Sequence, residues 1–186
     1  MNTLVIFSGL PGTGKSTLAK RLARELQWTL LCIDDVVGEI PENPGVEFWD
    51  SKVALLLGLV EAQLELGLSV IVDSVFMNTD RQHTQQLAEK YGARFRPIYT
   101  HVSDEAIWEQ RVNARYDQLA NQAVATWKQV EHQRGHFRAW QSDTALFIDA
   151  LNSVEQNYAE VLRFVTSAEV VLKPLDDVPW AVGKYH

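Results

Sequence analysis

The chain has 186 residues, which is long enough to bury a hydrophobic core and fits one domain of ordinary size. Hydrophobic residues make up 46% and charged residues 22% of it, as is typical of soluble globular proteins. Duplex nucleic acid normally requires a broad basic face, and the formal net charge of −7 does not favour one. We therefore do not expect duplex nucleic acid as a partner.

Cysteine content and apolar runs bear on the compartment. Cys32 is the only cysteine, which excludes an intrachain disulfide and a cysteine-rich zinc cluster. The apolar stretch near the amino terminus has about five residues and no basic leader, so we expect no signal peptide. The longest later run, residues 53–72, is interrupted by charges and glycines, so we expect no membrane span. These features predict a cytoplasmic protein.

Apolar strands alternate with amphipathic helices along the chain. This alternation predicts a three-layer α/β domain, in which helices cover both faces of a parallel sheet. A loop rich in proline and glycine is predicted at 40–47. The predicted strands are 3–7, 29–33, 69–73, 94–102 and 145–150, and the predicted helices are 15–27, 49–66, 80–91, about 104–115 and 153–165.

The segment between the first strand and the first helix reads SGLPGTGKST and fills every fixed position of G-x-x-x-x-G-K-[ST]. Glycines let backbone amides converge on phosphate oxygens, and the following helix adds its dipole. We expect Lys15 to place its charge at the β- and γ-phosphates and the Ser16 hydroxyl to bind Mg²⁺. The predicted nucleoside-triphosphate site comprises Gly9, Gly12, Thr13, Gly14, Lys15, Ser16 and Thr17.

Two acidic positions follow predicted strands at the carboxyl edge of the sheet, where open α/β folds bind ligands. Asp34 could accept a proton from a hydroxyl group or orient it, although aspartate is also a common helix N-cap. Asp73 ends the run VIVD, and its carboxylate could hold a water molecule on Mg²⁺ or simply cap a turn.

Arg111 and Arg115 lie four residues apart and therefore on one helix face. Two guanidinium groups there could offset the charge of a transferring phosphoryl group. The alternative is a solvated helix face in which these arginines pair with Glu109 or Asp117. Two other groups of residues have similar alternatives. An anion-binding face or a solvated helix surface is expected for Arg134, Arg138, His132 and His136. Contact with the substrate or capping of a helix is expected for Asn78 and Arg81.

The absence of an Asn-Lys-x-Asp guanine motif argues against a GTP-binding switch, and the chain is too short for a motor ATPase. The segments GLPGTGKSTLAKRLA, LLCIDDV, VIVDS, NTDRQHTQQLAEKYGA and EQRVNAR resemble the polynucleotide-kinase-like group of P-loop kinases. That group includes bacterial ATP-binding proteins and, more distantly, chloramphenicol phosphotransferase and the zeta toxins. The resemblance covers roughly residues 1–115 and 145–165. It implies a P-loop NTPase fold, with a five-stranded sheet in the order 2-3-1-4-5 and a helical lid.

The resemblance also implies roles for individual residues. Asp34 would be the general base toward the acceptor hydroxyl, Asp73 would lie near Mg²⁺, and the lid arginine Arg115 would reach the phosphates with the help of Arg111. Two departures affect the acceptor side. Val37 replaces an arginine of polynucleotide kinase, and the Asp-Thr-Asn of that enzyme becomes Asp-Ser-Val at residues 73–75.

We predict one P-loop kinase domain over residues 1–186, with 116–143 as a lid or substrate insertion and 168–186 as a carboxy-terminal extension. The predicted function is ATP- and Mg²⁺-dependent transfer of the γ-phosphate to a hydroxyl group of a small molecule. Two alternatives are a polynucleotide 5′-hydroxyl kinase and a nucleotide-dependent binding or regulatory module. A preference for ATP over GTP is expected from the family and the missing guanine motif.

Overall fold

A computed structural model describes residues 1–37, 48–76, 78–119, 124–137, 140, 145–168 and 170, without the side chains of 36, 37, 48–51, 78 and 79. The predicted loop at 40–47 and nearly all of 168–186 lie outside these residues, as does Arg138. The side chains of Val37, Trp49 and Asn78 are also outside the description.

One parallel sheet forms the centre of the fold. Its strands are β1 (Thr3–Ser8), β2 (Thr29–Cys32), β3 (Val70–Asp73), β4 (Arg94–His101) and β5 (Leu146–Asp149). Their order across the sheet is β2-β3-β1-β4-β5, and each neighbouring pair is parallel. The predicted strand order and α/β class are therefore confirmed.

Helices connect the strands and cover the sheet. In the described part of the chain they are α1 (Lys15–Leu26), α2 (Ile33–Val37), α3 (Phe48–Glu65), α4 (Asn78–Lys90), α5 (Glu105–Gln118), α6 (Trp127–His136) and α7 (Val154–Thr166). The sequence did not lead us to predict α2, and we gave no bounds for a helix within the lid segment 116–143, where α6 lies. A readable signal for α6 was present, because Thr126 and Gln129 form a capping box at its start.

The two hydrophobic layers follow from the alternation of side chains along each strand. In β1, Leu4 and Ile6 belong to the layer beneath α3, α4 and α5, whereas Val5 and Phe7 belong to the layer beneath α1 and α7. All four side chains are fully buried. A strand buried on both faces reads as a continuous apolar run, which is how TLVIF reads.

The strand register brings polar residues together at the carboxyl edge of the sheet. Asp73, the last residue of β3, is paired with Phe7 on one side and with Cys32 on the other. The end of β3 therefore lies between the end of β2 and the loop that leaves β1. This placement makes the edge the natural position for a binding site.

The layer formed by α1 and α7 yields a stability prediction. The Tyr158 hydroxyl donates a hydrogen bond to the Glu25 carboxylate (2.6 Å), and the Arg21 guanidinium lies 4.0 Å from the ring centroid. Burial, together with the bond to Glu25, raises the pKa of Tyr158 to about 12. We expect Tyr158→Phe to lower the free energy of unfolding by about 1–2 kcal/mol in urea denaturation. Tyr116→Phe, at a 40% exposed position, is the control and should change little.

Candidate functional site

The loop between β1 and α1 has glycine at three positions with positive φ angles, and two of these positions leave little room for a side chain. Gly9, Gly12 and Gly14 have φ angles of +137°, +81° and +86°. A Cβ atom on Gly9 would lie 2.2 Å from the Thr100 carbonyl oxygen, and one on Gly12 would lie 2.7 Å from a Val112 methyl group. The loop is therefore pressed against β4 on one side and α5 on the other.

Hydrogen bonds fix the inner side of this loop. The Thr13 hydroxyl donates to the Leu10 carbonyl (2.8 Å) and lies 2.7 Å from the Thr100 hydroxyl. The Thr100 hydroxyl is also 3.2 Å from the Ser8 carbonyl oxygen. The Thr13 side chain is thus buried, and its hydrogen bonds stabilise the loop. Thr13 is one of the residues that we predicted to bind nucleotide.

The amino terminus of α1 faces outward from the same loop. Gly14 is its N-cap residue and makes no side-chain capping bond, so the first amides of α1 are not capped by that residue. Uncapped amides and the helix dipole favour an anion. Ser16 is half-buried and Thr17 is exposed at this helix end.

Lys15 is buried below the loop, where its ammonium donates to the Leu10 carbonyl (3.2 Å). Burial lowers the pKa of Lys15, while the charges of Asp73 and Asp34 oppose this shift and Arg115 adds to it. All three partners therefore act electrostatically on one ammonium. The predicted lysine, both predicted aspartates and one of the two predicted arginines share a single site.

A cavity of about 550 Å³ opens at this carboxyl edge of the sheet. Its walls come from the loop, α1, α2, β3, α5, α6 and the segments that flank them. The polar side chains that line it belong to Lys15, Ser16, Thr17, Asp34, Asp73, Ser74, Arg115, His132, Gln133 and His136, with Gly12, Gly14, Val112 and Phe137 among the other lining residues. Of the predicted nucleotide-site residues, Gly9 and Thr13 do not line the cavity.

Acidic groups enter the cavity from two elements. Asp34 is exposed in the first turn of α2, and Asp73 is only 3% exposed at the end of β3. The Cys32 thiol lies 3.9 Å from Asp73 Oδ2, and burial together with the Asp73 charge raises the pKa of Cys32 to about 11. The thiol therefore stays neutral beside the carboxylate.

Ser74, which our sequence analysis did not assign to the site, carries an unusual hydroxyl group. Its Oγ atom is buried and has no hydrogen-bond partner in the described part of the chain. The residue lines the cavity beside Asp73. Buried polar atoms in native proteins normally have a partner, so this hydroxyl is suited to a ligand oxygen.

The structure separates the two predicted arginines. Arg115 lines the cavity, but Arg111 does not, because its guanidinium donates to the Ala150 carbonyl (2.9 Å) beyond the end of β5. Four residues advance a helix by about 6 Å, which is enough for one side chain to reach the cavity and the other to lie outside it. Arg81 also lies outside, where it donates to Gln85 one turn later in α4 (3.1 Å).

The α6 helix forms part of the cavity wall, and its side chains contact α5. Trp108 donates from Nε1 to the Pro11 carbonyl at the tip of the glycine loop (2.8 Å), and its ring contacts Trp127 edge-on at 5.3 Å between centroids. Arg134 forms a 2.9 Å ion pair with Glu105. One tryptophan thus bridges the loop and the beginning of α6.

Two side chains that line the cavity could serve as ligands of Mg²⁺. No group of three or more histidine, cysteine, aspartate or glutamate side chains suited to a metal ion occurs among the described residues. Mg²⁺ in nucleotide sites takes only one or two protein oxygens, with waters and phosphates completing the octahedron. The Ser16 hydroxyl and the Asp73 carboxylate, which both belong to residues that line the cavity, are donors of the kind and number that Mg²⁺ requires.

Comparison with known families agrees with this architecture. A family model described as an AAA domain, AAA_33, matches residues 4–140, which is well over half of the chain. The chain belongs to this AAA domain family. The match begins in β1 and includes the glycine loop, both cavity aspartates and α6. Within the described residues, no helix is both long enough and apolar enough to cross a membrane.

Solved structures of similar shape share the fold. The Mycobacterium tuberculosis APS kinase CysC, in complex with AMPPNP and APS, has a TM-score of 0.65 at 17% identity, covering 89% of this chain and 98% of that chain. A sugar kinase from Janibacter sp. HTCC2649 has a TM-score of 0.64 at 16% identity, with 90% and 96% covered. Chaetomium thermophilum Kti12, in complex with ADP-AlF3, has a TM-score of 0.64 at 12% identity, with 88% and 100% covered. The fold is that of the P-loop NTPases.

The packing of α5 on the glycine loop can be tested by two matched substitutions. Gly12 and Gly67 have similar φ angles, +81° and +74°, but only Gly12 has neighbours within 4 Å of an added Cβ. We expect the free energy of unfolding to fall by about 1–2 kcal/mol in both alanine variants, because alanine is unfavourable in a left-handed backbone conformation. Gly12→Ala should lose about 1–3 kcal/mol more through overpacking. Equal losses of unfolding free energy in the two variants would show that the contact with α5 is unimportant.

Proposed function

We propose that this protein is an ATP- and Mg²⁺-dependent phosphotransferase that acts on a hydroxyl group of a small molecule. The observation that carries the proposal is the joint presence of Lys15, Asp34, Asp73 and Arg115 in one cavity at the end of the glycine loop. A structural turn alone would not require a buried ammonium, a buried carboxylate and helix amides that their N-cap residue leaves uncapped, all at the same edge of the sheet.

The nucleotide phosphates would bind along residues 12–17. Amides at the start of α1 would donate to phosphate oxygens, and Lys15 would contact the β- and γ-phosphates. The Ser16 hydroxyl and the Asp73 carboxylate would hold Mg²⁺, which neutralises phosphate charge when bound. Arg115 would offset the charge of the transferring phosphoryl group from α5.

We assign the role of general base to Asp34. It is exposed to the cavity at the carboxyl edge of the sheet and lies near enough to Lys15 to affect its pKa. The acceptor oxygen would attack the γ-phosphorus as its proton passes to Asp34, and the bond to the β–γ bridging oxygen would break to release ADP.

A small acceptor is preferred to a polynucleotide end. The net charge of −7 is unfavourable for a long polyanion, and Val37 stands where polynucleotide kinase has an arginine. We place the chain near the polynucleotide-kinase-like group because of its quoted segments, without extending the substrate of that group to this chain. We also propose that 116–143 serves as the lid, since α6 lies within it and lines the cavity.

Two substitutions separate nucleotide binding from phosphoryl transfer. Lys15→Met removes charge-assisted bonds to phosphate, so we expect Mg·ATP affinity to fall roughly 10- to 100-fold in calorimetry. Asp34→Asn should leave that affinity nearly unchanged but lower the transfer rate about 10²–10⁴-fold in a labelled-ATP assay over hydroxylated metabolites, nucleosides, antibiotics and oligonucleotides. Undiminished Mg·ATP binding by Lys15→Met would contradict the proposal.

The same pair of variants addresses the alternatives. A nucleotide-dependent binding module would show no transfer in the wild type and no effect of Asp34→Asn on partner affinity. Transfer confined to oligonucleotide 5′-ends would instead identify a polynucleotide kinase.

Ser74 allows a test that does not depend on knowing the acceptor. Ser74→Ala removes a hydroxyl that makes no hydrogen bond in the described residues, so the thermal stability of the unliganded protein should stay equal or rise. If this hydroxyl donates to the γ-phosphate, the rise in Tm caused by Mg·AMPPNP should be smaller than in the wild type.

Thr84→Val provides the matched control. The Thr84 hydroxyl is fully buried in α4 and bonds to the carbonyls of Asp80 (3.0 Å) and Arg81 (2.8 Å). Its removal should lower the stability of the unliganded protein by about 1 kcal/mol and leave the ligand-induced rise in Tm unchanged. An unchanged rise in Ser74→Ala as well would exclude contact between Ser74 and the nucleotide.

A further inference from the structure

The α6 helix turns a polar face toward the cavity. His132, Gln133 and His136 all line it, as does Phe137 just after the helix. Residues at i, i+1 and i+4 occupy neighbouring positions on one side of a helix. The two imidazole rings are 4.8 Å apart between centroids and are inclined edge to face at 68°. Three hydrogen-bonding side chains therefore share one patch of the wall.

Interactions at the start of α6 and with α5 hold this patch in position. Thr126 and Gln129 cap the start of α6 reciprocally, and Val130 on the same helix is fully buried. The ion pair between Arg134 and Glu105 ties α6 to α5. His132 and His136 are themselves exposed, so the cavity side of α6 is open to a ligand.

The patch is distinct from the groups that the proposed reaction already uses. Lys15 and Arg115 would contact the phosphates, Asp73 would hold the metal ion, and Asp34 would face the acceptor hydroxyl. Among the residues that the structure describes, these are the charged groups that line the cavity from the other elements. None of them is left to bind the remainder of the acceptor, whereas the patch on α6 lies on the same cavity and has no such role.

We propose that His132, Gln133 and His136 form an oxyanion subsite, and that the acceptor carries a phosphate or carboxylate group as well as the hydroxyl group. This inference rests on the proposed function. Imidazole N–H groups and the Gln133 amide can all donate, and an oxyanion accepts several such bonds at once. With a net charge of −7, the chain needs such a local donor patch to attract an anionic acceptor.

The subsite can be tested by NMR of the histidine Cε1–H signals. The wild-type protein is saturated with Mg·AMPPNP, and inorganic phosphate, acetate or glycerol is then titrated at constant ionic strength. We expect saturable shifts of the His132 and His136 signals with phosphate or acetate, and no comparable shift of His83, which is exposed on α4. Phosphate and acetate distinguish the two anion classes.

Variants supply the control. His132→Gln/His136→Gln should weaken phosphate binding at least about tenfold through the loss of charge-assisted bonds. His83→Gln should leave it unchanged. Equal shifts of all histidine signals, saturation by glycerol but by neither anion, or unaltered phosphate binding in the double variant would each overturn the subsite.

The result can be separated from the proposed function. Mg·AMPPNP binding is measured first from the rise in Tm, and its absence would count against the phosphotransferase. If the protein does not bind Mg·AMPPNP, the anion titration is carried out without nucleotide, and the subsite is still judged by the saturable shifts of the His132 and His136 signals. Nucleotide binding with no specific response of His132 and His136 would overturn the subsite alone.

Discussion

Close packing around the glycine loop is the constraint on which the site depends. Gly9 passes so near the Thr100 carbonyl that a side chain could not be accommodated, and Trp108 holds the Pro11 carbonyl from the opposite side. The loop is thereby fixed before any ligand arrives. Preorganised amides lose little entropy when they bind phosphate, which is the physical advantage of this rigidity.

Electrostatics joins the remaining parts of the site. A buried ammonium is unfavourable alone, and the two aspartates offset part of that cost at Lys15. The parallel register brings Asp73 to this position, because β3 ends between β2 and the beginning of the glycine loop. Charged residues at or just after the ends of β1, β2 and β3 therefore lie close together. Their charges suit the binding of phosphate, a metal ion and a hydroxyl group.

Much of the fold could be predicted from the sequence, because local patterns are strong there. The buried run TLVIF and the alternation of strands and helices predicted the parallel sheet, and the resemblance to P-loop kinases predicted its strand order. Arg111 was harder to place, because spacing along a helix shows which face a residue occupies but not how far along a cavity it reaches. Its contact with the Ala150 carbonyl depends on tertiary packing.

The α6 wall and Ser74 depend on tertiary structure in the same way. His132 and His136 read equally well as a solvated surface, and only the docking of α6 through Glu105 and Trp108 turns them toward the cavity. A serine after a strand-ending aspartate gives no sign in the sequence that its hydroxyl is buried with no hydrogen-bond partner among the described residues. Both features become visible only when distant segments are brought together.

A crystal structure with bound Mg·AMPPNP is the decisive test of this arrangement of groups around the triphosphate. We expect phosphates on the amides of residues 12–17, a metal ion between Ser16 and Asp73, and a γ-phosphate that faces Asp34 and Arg115. A nucleotide bound elsewhere, or a γ-phosphate directed away from Asp34, would contradict it.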